Sequence, residues 1–130
     1  MTEPHRMQVR VYYEDTDLAG IVYYANYFRY IERGRTEYLR DLGVDQMALK
    51  AETGVVFAVR KVTAEYQAPA KMDDVLTVET RVAKATGARL TMAQRVLNDD
   101  VPLFTAEVEI AALGQDGRPT RLPVGLVRSV

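Results

Sequence analysis

The sequence has no cysteine and a single histidine, His5. Without cysteine, a thiol nucleophile, a disulfide framework and a thiolate metal site are all excluded. His5 lies in the polar stretch Met1-Thr2-Glu3-Pro4-His5-Arg6. Chain ends are loosely held, so a solvated tail residue is expected there. A serine–histidine or histidine–zinc mechanism would need it to fold back into a site. Acid–base chemistry therefore falls to Asp, Glu or Tyr, with no metal required. No segment approaches the ~20 apolar residues of a membrane span. Nor does the N-terminal stretch resemble a signal peptide, which makes a soluble cytoplasmic protein the expectation. Neither charge dominates: 17 basic residues face 18 acidic ones, a net charge of -1. That balance offers no electrostatic basis for general nucleic-acid binding.

What is present is an apolar fraction of 48% in 130 residues, enough for the core of one domain. The most informative stretch runs from Tyr12 to Phe28. It leads from a strand-like segment, through a carboxylate-bearing turn with a glycine, into the start of a helix. Asp17 thereby stands a few residues from a row of free backbone N–H donors, an arrangement suited to attack on a polarised carbonyl. Spacing alone also allows Asp17 and Asp15 to be turn-shaping carboxylates. Gly20 has a physical role if the turn needs a positive φ or if a ligand must approach the backbone.

Period-two alternation of Val9 and Val11 against Gln8 and Arg10 predicts a strand over Met7 to Glu14. Asn26 suits a helix N-cap, and the helix then runs to about Leu42, with Gly43 as its stop. Tyr27, Ile31, Gly34 and Tyr38 share one ridge, with Phe28, Leu39 and Leu42 beside it, so the helix should be largely buried. Gly34 sits mid-helix, where it costs ~1 kcal/mol against Ala; a close approach to a packed sheet would account for it. A short helix is expected over Asp45 to Ala51, ended by Gly54. Strands follow at about 55–67, 75–86, 89–98 and 102–113. Thr86-Gly87-Ala88 and Asn98-Asp99-Asp100 are short enough to be hairpin turns between antiparallel strands. Asp116-Gly117 then turns the chain into a basic tail. A helix followed by a run of strands is an α+β pattern, most simply a curled antiparallel sheet around the long helix.

The run Tyr13-Glu14-Asp15-Thr16-Asp17-Leu18-Ala19-Gly20-Ile21-Val22-Tyr23-Tyr24-Ala25-Asn26-Tyr27-Phe28 resembles the hotdog-fold acyl-CoA thioesterases. The nearest branches are the 4-hydroxybenzoyl-CoA thioesterases and those associated with the Tol-Pal system. The specific signal is an Asp-x-Asp-x-x-Gly turn, flanked by aromatics, directly before a helix. Glu32-Arg33-Gly34-Arg35-Thr36-Glu37, Tyr66-Gln67-Ala68-Pro69-Ala70, Asp73 to Glu79 and Arg121-Leu122-Pro123 extend the similarity over essentially the whole chain. The resemblance implies one hotdog domain over residues 1–130 with Asp17 as catalytic carboxylate. The backbone N–H of Tyr24 would hold the oxyanion, with Gly20 and Ile21 contacting substrate. It also implies a homodimer with joined sheets, often paired into a homotetramer, and active sites at the subunit interface. One position departs: the Tol-Pal branch commonly carries histidine where this chain has Tyr24, a residue it shares with the hydroxybenzoyl branch.

The chemistry is consistent with these residues. A CoA thiol ionises near pKa ~8.5, so the leaving group needs little acid assistance. An ionised Asp can activate water or attack directly to form an anhydride. Seven of the eight tyrosines fall between Tyr12 and Tyr38, as core and interface filling or as walls of an acyl pocket. Glu32 and Arg35, three apart, can pair on one helix face. CoA phosphates call for cations, with Lys84 and Arg89 as candidates beside Arg60, Lys61, Arg118 and Arg121. Two other readings use the same fold: a non-enzymatic acyl-CoA or acyl-carrier-protein binding module, and an enoyl-CoA hydratase.

Overall fold

The computed structural model describes residues 3–123 and 126. Among the described residues, five strands and two α-helices follow in the order β1 (His5–Arg10), α1 (Asn26–Asp41), α2 (Gln46–Thr53), β2 (Val56–Tyr66), β3 (Val75–Thr86), β4 (Arg89–Asn98) and β5 (Val101–Leu113). They form one antiparallel sheet in the order β1-β3-β4-β5-β2, with α1 packed against β1, β3 and β4. This is the α+β hotdog arrangement implied above. Two-residue loops close the β3–β4 and β4–β5 hairpins, with Thr86 opposite Arg89 and Asn98 opposite Val101. Gly87 and Asp99 supply the left-handed residues, at φ 56° and 53°. β1 and β2 are the sheet edges.

The helix α1 owes its place to one glycine. A Cβ at Gly34 would lie 2.7 Å from Val78 Cγ1 and 3.0 Å from Thr80 Oγ1, so only hydrogen lets the helix sit this close to β3. The buried side of α1 presents Tyr27, Tyr30, Ile31, Tyr38 and Leu39 to a core of Leu76, Val78, Met92, Val96, Phe104 and Val108. Beside Gly34, the buried Gln94 reaches across from β4. Its Nε2 donates to Ile31 O (2.8 Å) and Thr80 Oγ1 (2.9 Å), and its Oε1 accepts from Arg35 Nη1 (3.0 Å). A buried amide of this kind is tolerated because its partners are present.

The structure corrects several expectations. The first strand ends at Arg10 rather than Glu14, and Tyr13–Asp15 form a 3-10 turn. Its partner β3 begins at Val75, and beyond Arg10 the Asp15 carboxylate accepts from Tyr12 N (2.9 Å), winding the chain into the turn. Asn26 does not cap α1: Ala25 flanks the helix with no side-chain cap, and Asn26 Nδ2 instead donates to Asp15 O (2.9 Å). His5 is not a solvated tail residue. It pairs with Thr80 in the sheet, its Nε2 lies 2.9 Å from Asp41 Oδ2, and its ring meets Tyr38. Arg35 turns from Glu32 to Gln94, while Glu32 accepts from Thr36 Oγ1 (2.9 Å).

The short helix starts one residue later than expected, because Asp45 is its cap, accepting from Met47 N and Ala48 N. Gly54 ends it in the left-handed region. The tail folds back on the sheet through a Leu113–Pro119 bridge and buries Leu122.

Candidate active site

Asp17 stands on a tight hairpin. Gly20 N donates to Asp17 O and Asp17 N to Ile21 O, both at 2.9 Å, and Thr16 bridges Val22. The loop is thus three residues, Leu18-Ala19-Gly20, a type I turn completed by a left-handed residue. Gly20 takes that position at φ +80°, and no atom lies within 4 Å of where its Cβ would be. Its role in the fold is therefore conformational rather than steric. The Asp17 carboxylate accepts from Ala19 N (2.9 Å) and is exposed in the single chain. Asp15 does the turn-shaping, through Tyr12 N and through its carbonyl, which accepts from Tyr23 N (2.9 Å) and Asn26 Nδ2. These bonds tie the hairpin to the segment that opens α1.

That opening is uncapped. Tyr23 O accepts from Asn26 N (2.8 Å), which turns the opposite edge of the 23–24 peptide, the Tyr24 N–H, away from the helix. Among the described residues the Tyr24 N–H meets no hydrogen-bond acceptor. Helix-opening amides of this kind attract negative charge. Asn26 is committed to Asp15, so no side chain caps the helix, and Phe28 N is taken up by Ala25 O (3.2 Å).

Beside the opening is a cleft of about 380 Å³ lined by Ile21, Val22, Tyr24, Tyr27, Tyr66, Gln67, Ala68 and Pro69. It forms because Val22 N donates to Ala70 O (2.8 Å) and Ile21 bridges Lys71, which brings the end of β2 and its following turn alongside the hairpin. Tyr27 stacks on Phe104 at 5.0 Å, and its hydroxyl accepts from Ala70 N (3.3 Å). Burial raises the Tyr27 and Tyr66 phenols above their ordinary pKa. Tyr30 is raised well beyond the phenolic range, first by burial and then by the negative charge of Asp15. Its hydroxyl is buried without a partner at hydrogen-bonding distance among the described residues.

The structure brings Asp17, Gly20, Ile21 and Tyr24 into one neighbourhood, with Ile21 and Tyr24 in the cleft wall. Lys84 and Arg89 are exposed at the other end of the sheet, flanking the β3–β4 hairpin. Lys84 is roughly 30 Å along the strand from Val75, so one chain does not join them to the cleft. Tyr66, Gln67 and Pro69 as cleft walls were missed. Their proximity depends on pairing that local pattern cannot reveal, although Tyr66 is the single tyrosine outside the N-terminal cluster. Among the described residues no group of three or more His, Asp or Glu could hold a metal, and no helix is long and apolar enough to cross a membrane.

A family model described as "Thioesterase-like superfamily" matches residues 11–129. The chain belongs to that superfamily. Among thioesterase-like relatives, the acyl-CoA thioester hydrolase YbgC of Escherichia coli O6:H1 is 44% identical over 125 residues, 94% of this chain and 92% of the relative. A probable thioesterase from Bartonella henselae superposes with a TM-score of 0.88 at 41% identity, covering 92% of this chain and 99% of the other. A 4-hydroxybenzoyl-CoA thioesterase mutant, solved with 4-hydroxybenzoyl-CoA, superposes with a TM-score of 0.89 over 98% of both chains. Its identity is 23%, a likeness of fold.

Proposed function

We propose that the protein hydrolyses acyl-CoA thioesters to free acid and CoA, with small or medium acyl groups, aliphatic or aromatic, as substrates. The observation that carries this reading is the pairing of the Asp17 hairpin with an uncapped helix opening beside an apolar, tyrosine-walled cleft. Asp17 is the catalytic carboxylate and the Tyr24 N–H receives the oxyanion. As base, Asp17 removes a proton from water; the hydroxide adds to the carbonyl carbon, the C–S bond breaks, and the thiolate leaves to take up a proton. As nucleophile, its oxygen displaces the thiolate and water then opens the anhydride. Both routes consume one water and release one acid and one thiol. The fold neighbours' names and the identity to YbgC support the substrate class.

The site is completed by a second copy. Around Asp17 the chain exposes Tyr12, Tyr13, Leu18 and Tyr24, and β2 offers an eleven-residue free edge with Val59 and Val62 exposed. A long free edge strand can take a partner strand, which supports a homodimer with joined sheets. Localisation in the cytoplasm and the binding of CoA phosphates by Lys84 and Arg89 belong to the same reading. The Lys84 and Arg89 of one copy would serve a site other than their own chain's cleft.

The test is thiol release across a panel of short, long and aromatic acyl-CoAs. Turnover of at least one, abolished by Asp17→Asn with ligand binding retained, is expected. Binding without release from any member would replace hydrolysis by ligand carriage.

A further inference from the structure

Tyr66 is the last residue of β2, about half exposed, and its hydroxyl donates to the carbonyl oxygen of Tyr24 at 3.0 Å. This bond joins residues 42 apart in sequence. Among the described residues it is the only hydrogen bond to that carbonyl, which lies before α1 and outside the helical ladder. The ring of Tyr66 is held at the same time: it contacts Phe104 at 5.0 Å, Tyr27 at 5.6 Å and Tyr24 at 6.2 Å. The hydroxyl is thus aimed by packing, not by chance of rotamer.

A peptide plane is rigid, so holding its C=O also holds its N–H on the opposite side. Tyr24 lies between two such planes. The plane before it is fixed by Asn26 N donating to Tyr23 O, and the plane after it by Tyr66. Both N–H groups involved, those of Tyr24 and Ala25, are without an acceptor among the described residues. Were the second plane to turn over, the Tyr24 carbonyl dipole would be free to face the same space as the N–H groups. An acceptor dipole there would repel an oxyanion instead of stabilising it. A carbonyl that accepts a hydrogen bond also makes its own amide a better donor.

We infer that Tyr66 is a positioning residue for thioester hydrolysis: by pinning the Tyr24 carbonyl it fixes the plane that carries the Ala25 N–H, and so holds that amide beside the Tyr24 N–H for the developing oxyanion. The inference rests on the function proposed above. In this reading the Tyr66 hydroxyl is not the group that reacts. It acts through the backbone of Tyr24.

The experiment compares wild type, Tyr66→Phe and Asp17→Asn as full chains. Tyr66→Phe keeps the ring and its contacts and removes one oxygen. Its kcat should fall about tenfold with KM unchanged, since the lost stabilisation exists only in the transition state. Trifluoroacetonyl-CoA, whose hydrated ketone carries a tetrahedral oxygen, should bind Tyr66→Phe about tenfold more weakly. An S-alkyl-CoA thioether, which has no carbonyl on the carbon bound to sulfur, should bind with unchanged affinity. A structural role would instead lower both affinities and the melting temperature together, and that result overturns the inference. So does a Tyr66→Phe turnover equal to wild type while Asp17→Asn is inactive, a result that leaves the proposed function standing. Wild type that releases thiol from no acyl-CoA removes the proposed function, and this inference with it; an active Asp17→Asn removes only the role given to that carboxylate.

Discussion

The two ends of the contact between α1 and the rest of the protein are built on opposite principles. At the middle of the helix, Gly34 is buried against β3, and the polar groups of Gln94, Thr80 and Arg35 meet beside it in pairs. Gln94 is 1% exposed and uses three hydrogen bonds to join β4 to α1, β3 and Arg35. At the helix opening, eight residues earlier and beyond, an amide has no acceptor among the described residues, a carboxylate is exposed, and tyrosines stand in solvent. Free donors and an ionised carboxylate are unfavourable for stability and useful for chemistry. The mid-helix contact makes the opening rigid, so that its unpaired groups need not be arranged anew when a ligand arrives.

The sharpest break of this comparison is Asp17→Asn. Turnover should fall about a thousandfold, as for loss of an acid–base group. Stability should change by less than about 0.5 kcal/mol, because the residue is exposed and the Asn oxygen can still accept from Ala19 N. Thiol release and a urea melt on the same preparation check both halves.

The mirror experiment is Gly34→Val, which inserts side-chain atoms where a Cβ alone would meet Val78 Cγ1 at 2.7 Å. It should cost about 3 kcal/mol, read as a lowered urea midpoint. Any loss of turnover should disappear when activity is scaled to folded protein.

Gln94→Leu comes next. It leaves Thr80 Oγ1 and Arg35 Nη1 without the partner they now share. About 2 kcal/mol should be lost in the same melt, with KM unaffected.

The smallest effect is the alkaline slope of stability. The raised phenols of Tyr27 and Tyr30 keep their protons in the folded chain at pH values where the unfolded chain has released them. The folded state then binds more protons, so stability is fully present below the ordinary phenol value of about 10 and declines as pH rises past it. Tyr30→Phe should flatten that decline in thermal melts taken from pH 8 to 11.

Local pattern made much of this legible. The hairpins at Gly87-Ala88 and Asp99-Asp100 follow from turn residues between alternating segments, and β3 and β4 have the bounds their alternation implies. The cost of a mid-helix glycine pointed to the close contact that Gly34 makes. Reading failed where a residue had two uses. Asn26 is a good cap by type, but its Nδ2 donates to Asp15 O, and the helix opening has no side-chain cap. His5 is polar and near the chain start, yet sheet pairing with Thr80 and the Asp41 carboxylate at the end of α1 hold it.

The sequence by itself determined the element types, the α+β class and the identity of the acidic hairpin, since these depend on neighbours within a few positions. Only the tertiary structure decided that Tyr66 and Pro69 wall the cleft beside Tyr24, and that Gln94 locks the helix to the sheet. Those contacts join residues tens of positions apart, and a hydrogen bond between them depends on strand register and helix height. No local periodicity encodes either quantity.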